Sequence, residues 1–374
     1  MAIKLITHSP KAYSHYRGQL SLSGELLAKK TNIPLEKIEK GQNPEVDTIF
    51  TFNQIKKIAE VLLIPEFFLL SDSLQTADIP KLIDHRNQSD INDEESRYQL
   101  NKVVREVTKI REDLAYTYEC INIEPIPFKL KLKGDNEQYD ASAIREFLEI
   151  STSKLKVDGN DDYYKSWRTL IERKDILVLE ISRQKIGSEG MALFYPLLPI
   201  VTILSSGQSN SRKLFTMLHE LVHLGLRESS LDGELLKSKQ VIEQYCNRVA
   251  GYVLVPESEI VKYYDSRASL EDNIAFIRTA LKVSKQSIAI QLKLTGRITQ
   301  KELNVYLDDL SEKSSGGFGK SGRQYTAVNK FGKVYLQQVI SAVWDSNLPV
   351  NTAMKMLNLN SVEQLSYLEQ KVFG

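Results

Sequence analysis

The sequence predicts an α+β protein that is mainly helical, and three observations carry the prediction. Most apolar residues recur at spacings of three and four, the period of amphipathic helices. Only two short apolar runs, 176–181 and 197–204, read as strands. Two polar tracts, 74–95 and 311–322, interrupt a chain of 374 residues that is long enough for two or three domains. The division that follows is a first domain at 1–73, a linker at 74–95, a main domain at 96–310, a flexible linker at 311–322 and a small helical module at 323–374.

In the first domain, 23–30 reads as a helix, Asn32-Ile33-Pro34 as a turn, 35–40 as a helix closed by Gly41, and 52–63 as a third helix. After the linker, 96–118 is a long helix of mixed charge. Leu100, Val103, Val104, Val107, Ile110 and Leu114 recur along it at helical spacing, a stripe that fits a core or a coiled contact. Segments 140–150 and 167–173 are shorter helices, and the two strands form a small sheet. Strand 197–204 is a candidate edge strand able to pair with an extended peptide, or else an ordinary internal strand.

Next comes an amphipathic helix at 212–226, with a capping cluster Ser209-Asn210-Ser211 before it and Leu214, Phe215, Leu218, Leu221, Val222 and Leu226 as its apolar stripe. A polar, irregular stretch leads to another helix at 241–254, whose apolar face is Ile242, Tyr245, Val249 and Val253. Beyond Pro256 lie helices at 269–281 and 285–293, the second capped near Ser284. The tail is helical at 332–344 and 350–373.

The chemistry sits on helix 212–226, in the run His219-Glu220-Leu221-Val222-His223. Two histidines four apart share one helix face and can hold one zinc ion, and the glutamate between them can act as general base on a water that the zinc activates. A catalytic zinc needs a third protein ligand. Of the five histidines, the other three (His8, His15 and His85) all lie upstream, so the third ligand is expected to be a downstream carboxylate. Glu228, Asp232 and Glu234 stand in the polar stretch, and Glu257 and Glu259 follow a proline. Glu243 alone stands inside a helical pattern that gives a rigid mount, and is the choice. Asn247, one turn later, could orient a ligand through a hydrogen bond. The donor that stabilises the oxyanion stays open among Tyr245, Tyr252, Tyr263, Tyr264, His85 and the arginines.

Composition bounds the rest. A formal net charge of +1 argues for neither a nucleic-acid nor an anionic-membrane partner. Two cysteines, Cys120 and Cys246, make no disulfide framework, and no apolar run is long enough to span a bilayer or to serve as a signal peptide. A cytoplasmic protein is expected.

The segment from Arg212 to Leu224, containing Arg212, Phe215, Thr216, His219, Glu220 and His223, followed by Glu243-Gln244-Tyr245-Cys246-Asn247-Arg248-Val249-Ala250 and Leu254-Val255-Pro256, resembles the ImmA/IrrE family of metallopeptidases. The family pattern is R-x-x-F-T-x-x-H-E-x-x-H, then E-x-x-A-N-x-F-A, then L-x-P. The chain departs from it at Cys246, where alanine is usual, and at Val249, where phenylalanine is usual. The resemblance implies a zincin-like domain that binds Zn2+ through His219, His223 and Glu243, with Glu220 as general base. It also implies a protein substrate, commonly a repressor-type transcription factor encoded nearby and cut to induce genes of a mobile element or a stress response.

Residues 20–65, with Leu20-Ser21-Leu22, Leu26 to Pro34, Ile38 to Gly41 and Ile58 to Pro65, resemble a phage-repressor-like (Xre-type) helix-turn-helix. Such a unit binds DNA, or docks or dimerises with protein. The segment in the recognition-helix position, Pro34 to Lys40, carries Glu36 and Glu39, which would face phosphates, against Lys29, Lys30, Lys37 and Lys40, which would attract them. Two further readings of the whole chain remain beside the peptidase: a DNA-binding regulator whose peptidase-like domain is a sensor, and an antitoxin-like component whose metal only holds the fold.

Overall fold

The structure is a computed structural model. It describes residues 4–74, 94–150, 163–182, 188–204, 208–227, 239–281, 283–314 and 327–373. By internal contacts the described chain forms two compact units, one holding residues up to 109 and the other those from 110 onward.

In the first unit, Leu5–Ile6 (β1) pairs antiparallel with Phe50–Thr51 (β2). Its helices are Pro10–Gln19 (α1), Gly24–Thr31 (α2), Leu35–Lys40 (α3) and Phe52–Leu62 (α4), followed by a 3-10 turn at Glu66–Leu70 and the first part of Glu94–Cys120 (α5). Local sequence sets the starts. Ser9 Oγ accepts from the Ala12 N–H at 3.0 Å with Pro10 in the first turn, Ser23 Oγ accepts from the Leu26 N–H at 3.1 Å, and Thr51 and Gln54 form a reciprocal capping box. Between α2 and α3, Asn32 turns the chain in the left-handed region at φ 57°.

Tyr13, Tyr16, Leu27, Ile38, Phe50, Ile55, Ile58 and Leu62, each at most 2% exposed, fill the core of this unit. Burying each leucine or isoleucine contributes roughly 1.5–3 kcal/mol. The start of α5 is fastened to α2. Glu94 accepts from the backbone N–H of Ser23 and, at 2.7 Å, from its Oγ, while Glu95 pairs with Lys30 Nζ at 2.8 Å.

The second unit contains the rest of α5, then Glu137–Phe147 (α6), Tyr163–Glu172 (α7), the strands Leu177–Glu180 (β3), Gly190–Leu193 (β4) and Ile200–Ile203 (β5), and the helices Asn210–Leu226 (α8) and Lys239–Leu254 (α9). Further helices are Glu257–Tyr263 (α10), Leu270–Leu281 (α11), Lys285–Leu294 (α12), Gln300–Ser314 (α13), Ala327–Phe331 (α14), Lys333–Trp344 (α15), Val350–Met356 (α16) and Val362–Phe373 (α17). The sheet order is β3-β5-β4, with β5 parallel to β3 and antiparallel to β4. Every residue of the three strands is buried, so both faces are covered. Helix α8 packs on β4 and β5 and is flanked by α7 and α9.

Mainly helical architecture with small sheets is as the sequence predicts. Of the two readings of the strand at 197–204, the internal one holds: it is Ile200–Ile203, the centre of the sheet, its ladder taken up on both sides, and not a substrate-pairing edge. It starts late because Leu198 sits at φ 55° and Pro199 has no N–H to donate to a ladder. Of the tract expected as a linker at 74–95, residues 75–93 lie outside the described residues, and Glu94 and Glu95 already belong to α5. The tract at 311–322 begins inside α13, and its residues from 315 lie outside the described residues. Among the described residues, no helix is long and apolar enough to cross a membrane.

Beneath β3 lies a buried ionic network. Arg168 pairs with Glu172 at 2.6 Å and with Glu180 at 3.3 Å, all three side chains being at most 5% exposed. Lys213 of α8 and the Tyr164 hydroxyl, the latter at 2.8 Å, also bind Glu180. Arg168 further donates to the carbonyl oxygens of Val178 and, at 2.7 Å, of Asn329, while the Val334 N–H donates to Glu172 at 3.2 Å. Gly332, at φ 83°, must be glycine for a second reason as well: a Cβ there would lie 1.8 Å from Glu172 Oε1. The network thus holds α7, β3, α8 and the start of the last helical segment together.

Candidate metal centre and active site

Helix α8 starts where Ser209 Oγ accepts the Arg212 N–H at 3.3 Å, and residues 216 to 225 are all buried. The polar trio is therefore enclosed along with the apolar stripe: His219 and His223 are each 2% exposed and Glu220 is 0% exposed. Helix α9 packs against α8 and α6, and its Val249, Ala250 and Val253 are all at 0% exposure. That packing brings Glu243, whose side chain is 14% exposed, to the two histidines.

The geometry is compact. His219 Nε2 and His223 Nε2 are 3.0 Å apart, Glu243 Oε2 is 3.3 Å from the first and Glu243 Oε1 is 3.4 Å from the second. One ligand atom from each residue lies within 4.8 Å of the others. Two imidazole nitrogens and a carboxylate turned toward one point suit a cation there. Ligands at about 2.05 Å from a tetrahedral zinc stand roughly 3.3–3.4 Å from each other; the two histidine–Glu243 separations have that size, and the histidine–histidine one is shorter at 3.0 Å. The donor set therefore fits Zn2+.

Around these three, the structure separates the expected helpers. Asn247 is exposed. Its buried neighbour Cys246 stands with Sγ 3.8 Å from His223 Nδ1, on the ring edge facing away from the three-donor point. Tyr245 is not turned to the site: its hydroxyl donates to Asp140 Oδ2 at 2.7 Å, and burial, then this bond, pushes its pKa far up. Asp140, fully buried on α6, also accepts from the N–H groups of Lys133 at 3.0 Å and Gly134 at 2.9 Å, and so ties α9 to the turn before α6. The Tyr264 hydroxyl donates to the Arg297 carbonyl at 3.3 Å, Tyr263 packs edge-on to Phe276, and Tyr252 is half-buried; His85 lies outside the described residues. Of the other carboxylates weighed as ligands, Glu257 accepts from Gln138 and Glu259 stands 4.0 Å from Lys262, while Glu228, Asp232 and Glu234 lie outside the described residues.

Sequence reasoning missed strand β4 and with it Gly190. The run Gly190-Met191-Ala192-Leu193 holds no β-branched or aromatic residue, so it gives no strand signal. A glycine beside an apolar run was the only hint. Its neighbour is the trio's glutamate, since a Cβ at 190 would lie 2.6 Å from Glu220 Oε1.

In the first unit, the four lysines weighed for DNA are disposed differently from one another. Lys29 is exposed; Lys30 is paired with Glu95 and stacked 4.3 Å over Tyr98; Lys37 donates to Gln54 at 2.8 Å; and Lys40 pairs with Glu36 at 2.6 Å.

Residues 171–293 match the model of the Peptidase_M78 family, described as an IrrE N-terminal-like domain. The matched stretch runs from the end of α7 through the sheet, α8 and α9 into α12, and so contains His219, Glu220, His223 and Glu243. A comparison with curated proteins found no match.

Proposed function

We propose that the protein is a zinc-dependent endopeptidase of the ImmA/IrrE type, cytoplasmic, that hydrolyses a peptide bond in a regulatory protein of the repressor class. The observation that carries the reading is the convergence of His219, His223 and Glu243 from two packed helices, with Glu220 on the next position of the same turn. The peptidase-family match over residues 171–293 supports it. A purely structural metal gives no reason for a fully buried glutamate beside the ligands, because burying a carboxylate is costly.

The two histidines and Glu243 hold the metal. When bound, zinc supplies a water of lowered pKa and polarises the scissile carbonyl. Glu220 takes the proton of the attacking water and passes it to the amine that leaves. Strand β4 is the part of the sheet suited to align an extended substrate: among the described strands it has one neighbour, β5, and Gly190 at its start lies against Glu220.

The test is metal content together with cleavage of a candidate repressor-type regulator. Wild type binds one zinc per chain and cuts the regulator, and Glu220→Gln keeps the zinc and loses cleavage by at least about a hundredfold. Protein without stoichiometric zinc, or cleavage unchanged in Glu220→Gln, refutes the reading. The alternative, a DNA-binding regulator with a peptidase-like sensor, draws less support because Lys30 and Lys40 are paired with carboxylates of the same unit.

A further inference from the structure

Strand β4 begins with a glycine that its own backbone does not require. Gly190 is absent from the positions with positive φ, so no left-handed conformation excludes a side chain there. No bulge explains it either, for the antiparallel register with β5 is unbroken from Gly190↔Ile203 to Leu193↔Ile200. A glycine inside a strand weakens it, and its remaining use is to let something approach closely. What approaches is α8: a Cβ at 190 would lie 2.6 Å from Glu220 Oε1, 2.9 Å from Glu220 Cγ and 2.6 Å from Thr216 Cγ2. Contacts under 3.0 Å are ones that Cβ atoms essentially never make.

Two neighbours thus compete as the reason for the glycine, and their surroundings differ. Thr216 is a turn away from the histidines and could be exchanged for a smaller residue at no chemical cost. Glu220 is fully buried between His219 and Leu221 and cannot retreat toward solvent. We propose that Gly190 is a positioning residue: its missing side chain gives the Glu220 carboxylate the place against β4 from which it serves as proton acceptor. Any larger residue displaces that carboxylate by a substantial part of an ångström. Misplacements of about 1 Å cost on the order of a hundredfold in rate. This inference rests on the role given to Glu220 above, but it can fail separately from it.

The experiment uses the full chain and two readouts. The first is thermal unfolding in EDTA of wild type, Gly190→Ala, Glu220→Ala, Thr216→Ala and the doubles Gly190→Ala/Glu220→Ala and Gly190→Ala/Thr216→Ala. The expected result is that Gly190→Ala lowers the melting temperature by several degrees and that Glu220→Ala removes most of this loss while Thr216→Ala removes less. If Gly190→Ala does not fold, the same expectation reads as recovery of folding in the double with Glu220→Ala. Equal or greater recovery with Thr216→Ala, no recovery with either, or no loss at all in Gly190→Ala overturns the proposal.

The second readout separates position from mere fit. Acetohydroxamate chelates zinc and must give its hydroxyl proton to a neighbouring base. Zinc-loaded Gly190→Ala, or the most conservative variant at 190 that folds, keeps zinc affinity within about threefold but binds acetohydroxamate at least about tenfold more weakly, as Glu220→Gln does. Acetohydroxamate binding equal to wild type overturns the proposal. If wild type itself takes up no stoichiometric zinc, the proposed function fails, and the unfolding comparison still decides which neighbour Gly190 accommodates.

Discussion

Arg168→Met is the sharpest perturbation of the second unit, because methionine keeps most of the aliphatic volume and removes only the charge and its donors. In the native network the guanidinium holds Glu172 at 2.6 Å and Glu180 at 3.3 Å and donates to the carbonyls of Val178 and Asn329. After the change Glu180 still has Lys213 and the Tyr164 hydroxyl, whereas Glu172 keeps only the N–H groups of Lys333 and Val334. Glu172 is therefore the stranded group. Breaking a buried pair from one side costs about 3–5 kcal/mol, the lower end applying where the orphaned carboxyl can take a proton. Burial already raises the Glu172 pKa against the pull of Arg168, so a cost of about 3 kcal/mol is expected. Neutralising the orphan in Arg168→Met/Glu172→Gln should recover about half of it.

Urea unfolding followed by tryptophan fluorescence reads this directly, since both tryptophans, Trp167 and Trp344, belong to the second unit and Trp167 adjoins Arg168. A cost below about 1 kcal/mol, the size of an ordinary substitution, or a double variant no more stable than the single one would refute the reasoning.

Two further outcomes follow from hydrogen bonds of the same unit. Tyr245→Phe takes away one of the three donors to the buried Asp140 and leaves the two backbone N–H groups, and the loss of a bond to a carboxylate acceptor should cost about 1.5–3 kcal/mol in the same urea titration; a change within error would show that the hydroxyl is dispensable. Burial raises the pKa of Tyr118, Tyr164, Tyr245 and Tyr335, reinforced in the first three by bonds to Asp175, Glu180 and Asp140. The folded state thus keeps protons that the unfolded chain gives up, so this stability is intact below about pH 10 and falls as pH rises beyond it. In an alkaline titration at 295 nm these tyrosines should ionise only as the far-UV circular dichroism is lost; ionisation of all 17 tyrosines in a natively folded chain would contradict it.

The parts of this molecule that a sequence shows are those written in its local period. Helix α8 carries its spacing, its cap and its chemistry within one short stretch, and Glu243 could be picked out because its helix was visible. Helix α1 was legible in principle from Ser9 and Pro10, but its tyrosines and polar residues make a weak stripe. Whether a strand is central or at an edge depends on partners distant in sequence, and the apolar run around Ile200 reads the same either way. The network around Arg168 was hidden for a similar reason. Arg168 and Glu172 look like an exposed helix pair one turn apart, and only the arrival of β3, Lys213 and Asn329 encloses them. Gly190 means nothing until α8 is laid against β4.

The fastening of α5 to α2 bears on what the first unit can bind. A helix start with its N–H groups open attracts anions, yet at α2 that position is taken by a carboxylate of the same chain, Glu94 on Ser23. Any phosphate or acidic group approaching there faces a competitor carried by the same chain. Lys30 is in the same position with respect to Glu95. Affinity at this end of α2 is thus set by a displacement equilibrium as well as by attraction, and removing the two glutamates is a change that would strengthen anion binding without adding a single positive charge.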